Sequence, residues 1–298
     1  MTFSIIVVCY NAGEKLCRTI ESIRRQTEKD YEIIVEDGLS TDGSVEKLAP
    51  GADLKIFRER DEGIYDAMNR AVSRAAGTYL FFLNCGDYFE DDKVLANVRR
   101  HMEADMPAQE KPGSGGAAGP AGAFRDRQTA GTVRKNRESF LPHIFYGDIR
   151  ERATGAAVMS NPRIDDFTCY RNVPCHQACF YDRRLFAGRG FHTCYRVRAD
   201  YEHFLWCYFR AHAVMHYMPV TVVSYEGGGF SETKENRRRS AAEHRHIVRK
   251  YMSAGKIFTY RLILLLTLAP LRTYLAENPV TAEAYQCVKR TLYGKKKT

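Results

Sequence analysis

Arg60-Asp61-Glu62-Gly63-Ile64-Tyr65-Asp66-Ala67-Met68-Asn69-Arg70-Ala71, with Gly77-Thr78-Tyr79-Leu80-Phe81-Phe82-Leu83-Asn84-Cys85-Gly86-Asp87 close behind, sets the architecture of this chain. Ile64, Met68, Ala71 and Val72 recur at helical spacing, so a helix follows the charged loop and stops before Gly77. Thr78 to Leu83 is a short apolar run that reads as a strand, and it ends in a turn carrying a carboxylate, Asp87. In open α/β sheets ligands bind outside the carboxyl ends of the strands. The stretch therefore predicts both a fold and the edge at which function sits.

The residues before it extend the pattern. Phe3 to Cys9 is almost continuously apolar and β-branched, as in a parallel strand covered on both faces. After the polar turn Tyr10-Asn11-Ala12-Gly13, Leu16, Ile20 and Ile23 mark one face of a helix. Tyr31 to Val35 is a second strand, which delivers the polar loop Glu36-Asp37-Gly38-Leu39-Ser40-Thr41-Asp42-Gly43-Ser44, with Ser40 or Asp42 placed to cap a short helix after it. Leu54 to Phe57 is a third strand. This β-α-β-α alternation predicts an α/β chain with a doubly wound, mostly parallel, Rossmann-like sheet. No G-x-G-x-x-G follows the first strand and no P-loop sequence occurs, so neither a dinucleotide site nor a P-loop is indicated. Carboxylates are left to do the recognising.

Residues 106–138 are rich in Ala, Gly, Pro and mixed charge, the composition of a flexible insertion. Order is expected to resume with a strand at Ile144 to Ile149. Two polar clusters in apolar surroundings follow, Pro174-Cys175-His176-Gln177-Ala178-Cys179 and Arg198-Ala199-Asp200-Tyr201-Glu202-His203-Phe204. The second begins a helix, with Asp200 in its first turn, where a carboxylate is either a partner of the helix dipole or a catalytic base.

Composition and charge narrow the classes. With 298 residues, 44% hydrophobic and 12% aromatic, the chain has ample material for a packed core. Its nine cysteines are scattered, and the chain opens directly into a strand, so a reducing cytoplasm is expected. The spacing of Cys169, Cys175 and Cys179 is not that of a paired zinc site, and buried thiols are the expected account. From Arg237 onward, fourteen Lys or Arg face three Glu, while the rest of the chain is close to neutral. The uncharged run Leu262 to Leu271 inside this basic tail falls short of the roughly 20 residues a spanning helix needs. It suits a helix lying at an anionic membrane surface or one closing the domain.

Val8-Cys9-Tyr10-Asn11, the Glu36 to Ser44 loop, Glu62 to Asn69, Leu83-Asn84-Cys85-Gly86-Asp87, His176-Gln177 and Ala199-Asp200-Tyr201-Glu202 together resemble glycosyltransferase family 2. The likeness is greatest to the bacterial branch that builds O-antigen, capsule and exopolysaccharide. It runs from residue 3 to about residue 230 and implies a GT-A fold with a helical C-terminal extension. It divides the chain into a donor-binding half (1–105), the insertion (106–138), an acceptor and catalytic half (139–230) and the basic tail (231–298).

The resemblance also implies an inverting transfer from a nucleotide-diphosphate sugar to a glycan acceptor. Tyr10 and Asn11 match the nucleotide site, where Tyr10 offers a ring face to the base. Asp37 is matched to the imide N–H of uracil, which points to a UDP-sugar. Asp66, Asn69 and Arg70 match the donor-facing helix. Asp87 ends the family's D-x-D metal motif, here altered by Asn84 and Gly86, and implies Mn²⁺ or Mg²⁺. Asp200 matches the base, with Glu202 as its neighbouring competitor, and His176 and Gln177 match a segment facing the acceptor or donor sugar. Gly227 to Ser231 and Arg237, Arg238 and Arg239 resemble a loop and cations that meet the donor. A lipid-linked acceptor would place the enzyme at the inner face of the cell membrane. An inactive nucleotide-binding relative, a nucleotidyltransferase and a basic nucleic-acid binder are the competing classes, the last without any accompanying nucleic-acid motif.

Overall fold

The computed structural model describes residues 1–106, 141–227 and 233–267. The expected insertion beyond Met106, residues 228–232 of the glycine loop and the tail from 268 onward lie outside them. The chain forms two compact units, Met1–Ile247 and Val248–Thr298. The first carries a sheet of nine strands among the described residues: β1 (Phe3–Cys9), β2 (Tyr31–Asp37), β3 (Leu54–Arg58), β4 (Tyr79–Phe82), β5 (Tyr88–Phe89), β6 (His143–Glu151), β7 (Ala157–Val158), β8 (Cys179–Asp182) and β9 (Val214–Tyr225). Their order is β3-β2-β1-β4-β8-β6-β9-β5, with β7 paired to β6.

The first four strands run parallel, as the sequence predicts, with β1 between β2 and β4. Every residue of β1 is buried, which is what its unbroken apolar run requires. Phe3, Ile5 and Val7 share one core with Leu16, Ile20 and Ile23 of α1 (Glu14–Arg24) and Val94, Leu95 and Val98 of α3 (Val94–Asp105). By strand alternation Ile6 and Val8 point to the opposite face. Helix α2 (Ile64–Arg74) packs against β1 and β2.

Beyond β4 the sheet is mixed. β8 runs antiparallel to both β4 and β6, and β6 and β9 then run parallel to each other. Phe81 of β4 stacks on Phe180 of β8 at 4.4 Å between ring centroids, an aromatic seam that joins the two halves of the chain in one sheet. The halves expected from the sequence are thus parts of a single layer. One local expectation fails: no helix follows Ser44, and residues 42–48 form turns and bends. Asp42 instead accepts from the N–H groups of Gly13 and Ser44, tying the loop after β2 to the loop after β1. β1 and β4 adjoin where the strand order reverses, so the crevice beyond Cys9 and Phe82 is the ligand position this topology favours.

Candidate active site

A cavity of about 920 Å³ opens at that edge, at the upper end of the range for small-molecule sites. Its walls come from the loops after β1 and β4, the start of α2, the segment before β8 and the turn into the helix Ala199–Phe209. Tyr10, Asp66, Asp87, His176, Gln177 and Asp200 of the sequence-derived set all line it. These residues are 190 positions apart in the chain at the extremes, and the reversal of strand order is what assembles them.

Tyr10 is 68% exposed and presents its ring to the cavity. Asn11 holds that loop rather than lining the site: its N–H donates to Ser40 Oγ, and its Oδ1 accepts from the N–H of Thr41. Asn11 has φ of 48°, a left-handed conformation that asparagine tolerates better than most residues. Asp37 lies outside the cavity. It is fully buried, and its carboxylate accepts from Arg58 Nε at 3.0 Å, from the N–H and hydroxyl of Ser40, and from Cys9 Sγ. The carboxylate that does face the Tyr10 region is Asp61: a Cβ on Gly38 would come within 2.6 Å of Asp61 Oδ2 and 3.5 Å of the Tyr10 ring.

On α2, Asp66 sits at the cavity wall, accepting from the N–H of Glu62 and pairing with Arg70. Asn69 and Arg70 do not line the cavity, and both have protein partners. Asn69 clamps the backbone of Phe191, with Nδ2 donating to its carbonyl at 2.9 Å and Oδ1 accepting its N–H at 2.7 Å. Arg70 pairs with Glu59 and Asp66.

Asp87 is 4% exposed at the cavity floor. Its Oδ1 accepts the N–H of Glu226 at 2.7 Å, and the Gln177 side chain also hydrogen-bonds to it. Burial raises its carboxyl above the usual range, against these hydrogen bonds and the charge of Arg152. Three residues earlier, Asn84 Oδ1 is buried with no hydrogen-bond partner and its residue lines the same wall. A buried carbonyl oxygen without a partner and a carboxylate lining the same cavity are the hard-oxygen ligand types that Mg²⁺ or Mn²⁺ takes together with phosphate oxygens. Among the described residues no group of three or more His, Cys, Asp or Glu is arranged to hold a metal without such help.

Asp200 carries the most complete support. Tyr65 Oη donates to Oδ1 at 2.8 Å, and His176 Nδ1 lies 3.1 Å from Oδ2 and hydrogen-bonds to it. Burial alone would raise this carboxyl, but His176 and Tyr65 outweigh it and hold the group below the ordinary carboxylate range. The helix start is fixed from outside: Glu243 accepts from the N–H groups of Arg196, Val197 and Arg198 at 2.9–3.0 Å. Glu202, the other candidate base, is fully buried, paired with Arg189 and absent from the cavity wall, since two residues on a helix turn it to another face. Arg237, Arg238 and Arg239 are likewise off the wall, and Arg196 and Arg198 line it instead. Tyr65 was inside the stretch that decides the fold, yet nothing local pairs it with a residue 135 positions away.

The family model described as Glycosyl transferase family 2 matches residues 4–160. A Mycobacterium bovis BCG protein named PGL/p-HBAD biosynthesis glycosyltransferase is 34% identical over 238 residues, spanning 78% of this chain and 79% of that protein. A putative teichuronic acid biosynthesis glycosyltransferase, TuaG of Bacillus subtilis, is 30% identical over 105 residues, covering 34% of this chain and 42% of that protein. Among solved structures, S. aureus TarS 1-349 in complex with UDP superposes with a TM-score of 0.58 at 14% identity, over 93% of this chain and 74% of that one. In another TarS structure this chain spans 44% of the length. The mannosyltransferase PcManGT of Pyrobaculum calidifontis, solved with GDP-Man and Mn²⁺, gives a TM-score of 0.56 at 16% identity, over 99% of this chain and 81% of that one. At these identities the structural likeness speaks for the GT-A fold.

Proposed function

Because the chain belongs to glycosyltransferase family 2, we propose that it transfers a sugar with inversion from UDP-sugar to a hydroxyl of a lipid-linked glycan, with Asp200 as base. The observation that carries this is Asp200 itself: a carboxylate on the cavity wall with one oxygen held by Tyr65 and the other by His176. The acceptor oxygen attacks the anomeric carbon as the bond from that carbon to the diphosphate breaks, and the hydroxyl proton passes to Asp200. An ionised carboxylate is a weak base at neutral pH. It suffices here because the hydroxyl becomes acidic as its oxygen bonds to carbon.

Tyr10 stacks the base, and Asp61 accepts the imide N–H of uracil, the role expected from sequence for Asp37. The UDP choice is supported by the TarS complex, whose donor nucleotide is UDP. Asp87 and Asn84 hold a divalent cation together with the donor diphosphate. When bound, it neutralises charge developing on the leaving group. The lipid-linked acceptor and surface-glycan role are supported by relatives named for PGL/p-HBAD and teichuronic acid synthesis. The exposed Phe258, Leu262 and Leu265 on a helix that also carries Lys256 and Arg261 add to that support.

Calorimetric titration of UDP, GDP, CDP and dTDP, each with and without Mn²⁺, tests the donor site. UDP is expected to bind selectively, Mn²⁺ to strengthen it, and Asp87→Ala to remove the strengthening. Asp200→Asn is expected to keep UDP binding while turnover falls by about 10²–10⁴-fold. Undiminished turnover in Asp200→Asn would move the base elsewhere, and binding of no nucleotide would refute the donor site.

A further inference from the structure

Glu226 follows β9 at the cavity wall, and its carboxylate stands among cations. Lys15 Nζ of α1 lies 2.7 Å from Glu226 Oε2, and Arg152 Nη2 lies 3.9 Å from the same oxygen. The charge of Arg18 adds a smaller favourable effect. Arg152 is held in place from two sides, donating to the Gly86 carbonyl at 2.8 Å and stacking 4.3 Å over the Tyr88 ring. The hydrogen bond from Lys15 is the largest of the effects that keep the Glu226 carboxyl below its ordinary range.

The backbone beneath is shaped for this ion pair. Gly86 has φ of +101°, and a Cβ on it would come 3.0 Å from Glu226 Oε2 and 3.2 Å from Lys15 Cδ. The positive φ favours glycine at this position, and a side chain there would crowd the ion pair. The Lys15 and Glu226 side chains are 57% and 44% exposed, so the contact is open to exchange with a solute.

Resting on the donor reading above, we infer that Glu226 is an internal stand-in for the donor's diphosphate, which displaces its carboxylate and takes Lys15 and Arg152 as counter-ions. An exposed ion pair contributes little, so opening it costs little, while a diphosphate brings more negative charge than one carboxylate. The arrangement screens entering ligands by charge. A neutral nucleoside cannot replace Glu226, and the cations stay paired, not bare, when the site holds no donor.

The test is calorimetry with UDP, inorganic pyrophosphate and uridine on the full chain at low salt and constant Mn²⁺. Glu226→Gln is expected to tighten UDP and pyrophosphate by about two- to fivefold and leave uridine unchanged, the gain shrinking at high salt. Lys15→Met is expected to weaken UDP and, combined with Glu226→Gln, to erase the gain, because the two residues act on one site. UDP bound no tighter by Glu226→Gln, or uridine tightened equally, overturns the inference. If wild type binds no nucleoside diphosphate, the donor reading fails by itself, and the pyrophosphate arm still decides whether Glu226 guards an anion site.

Discussion

Asp200 and His203 lie one turn apart on the same helix and meet opposite environments. Asp200 has a partner on each oxygen, whereas both ring nitrogens of His203 are buried without a hydrogen-bond partner. His203 stacks on Phe186 at 4.2 Å and touches Phe191 and Trp206. Burial, reinforced by Arg189 and His192, pushes its pKa down to about 3. The folded protein therefore refuses a proton that the unfolded chain accepts near pH 6.5. The stability contributed is full above that pH and is lost as pH falls toward 3, at about 1.4 kcal/mol per pH unit. His216, lowered to about 4 mainly by burial, acts with the same sign. Urea unfolding at pH 7 and pH 5 should show His203→Phe losing about 2 kcal/mol less than wild type across that interval. Equal losses would mean that His203 is protonated in the fold.

Helix α2 shows what one element is asked to do. From a single face and its neighbours it sends Tyr65 to Asp200, Asp66 to the cavity, Asn69 to the Phe191 backbone and Arg70 to Glu59. Gly190, next to Phe191, must be glycine, because a Cβ there would overlap the Asn69 amide. Asn69→Ala would leave a peptide N–H and a carbonyl of Phe191 without their partners. A loss of about 1–3 kcal/mol in unfolding free energy is expected, with UDP affinity nearly unchanged. A large loss of UDP affinity at unchanged stability would return Asn69 to the donor site. The motif around it was readable because its residue types repeat at helical spacing. Which of its polar groups face ligand and which face protein was not, since the partners at 191, 197 and 200 arrive from the other half of the chain.

At the scale of the whole molecule, the site and the tail answer different questions. No helix among the described residues is long and apolar enough to cross a membrane. The helix Ala254–Leu266 nonetheless exposes Phe258, Leu265 and Leu266, at 69%, 64% and 72%. If the acceptor is lipid-linked, wild type should co-sediment with vesicles containing anionic lipid more than with neutral ones. Leu262→Ser combined with Leu265→Ser should weaken that association while leaving UDP affinity intact. Equal sedimentation of wild type and the double variant would remove the helix from any membrane role.

Periodicity and composition determined the parallel half of the sheet and the sites of its strand-end loops, because strand burial and helix faces are local properties of sequence; the family resemblance singled out Asp66, Asp87 and Asp200, which line the cavity. Only the tertiary structure decided the rest. It turned Asp37 inward against Arg58 and Ser40, made Glu202 the partner of Arg189 and brought Lys15 to Glu226. Lys15 and Glu226 stand 211 positions apart, Asp37 meets Arg58 only because β2 pairs with β3, and which polar groups end up hydrogen-bonded cannot be read from a residue's type.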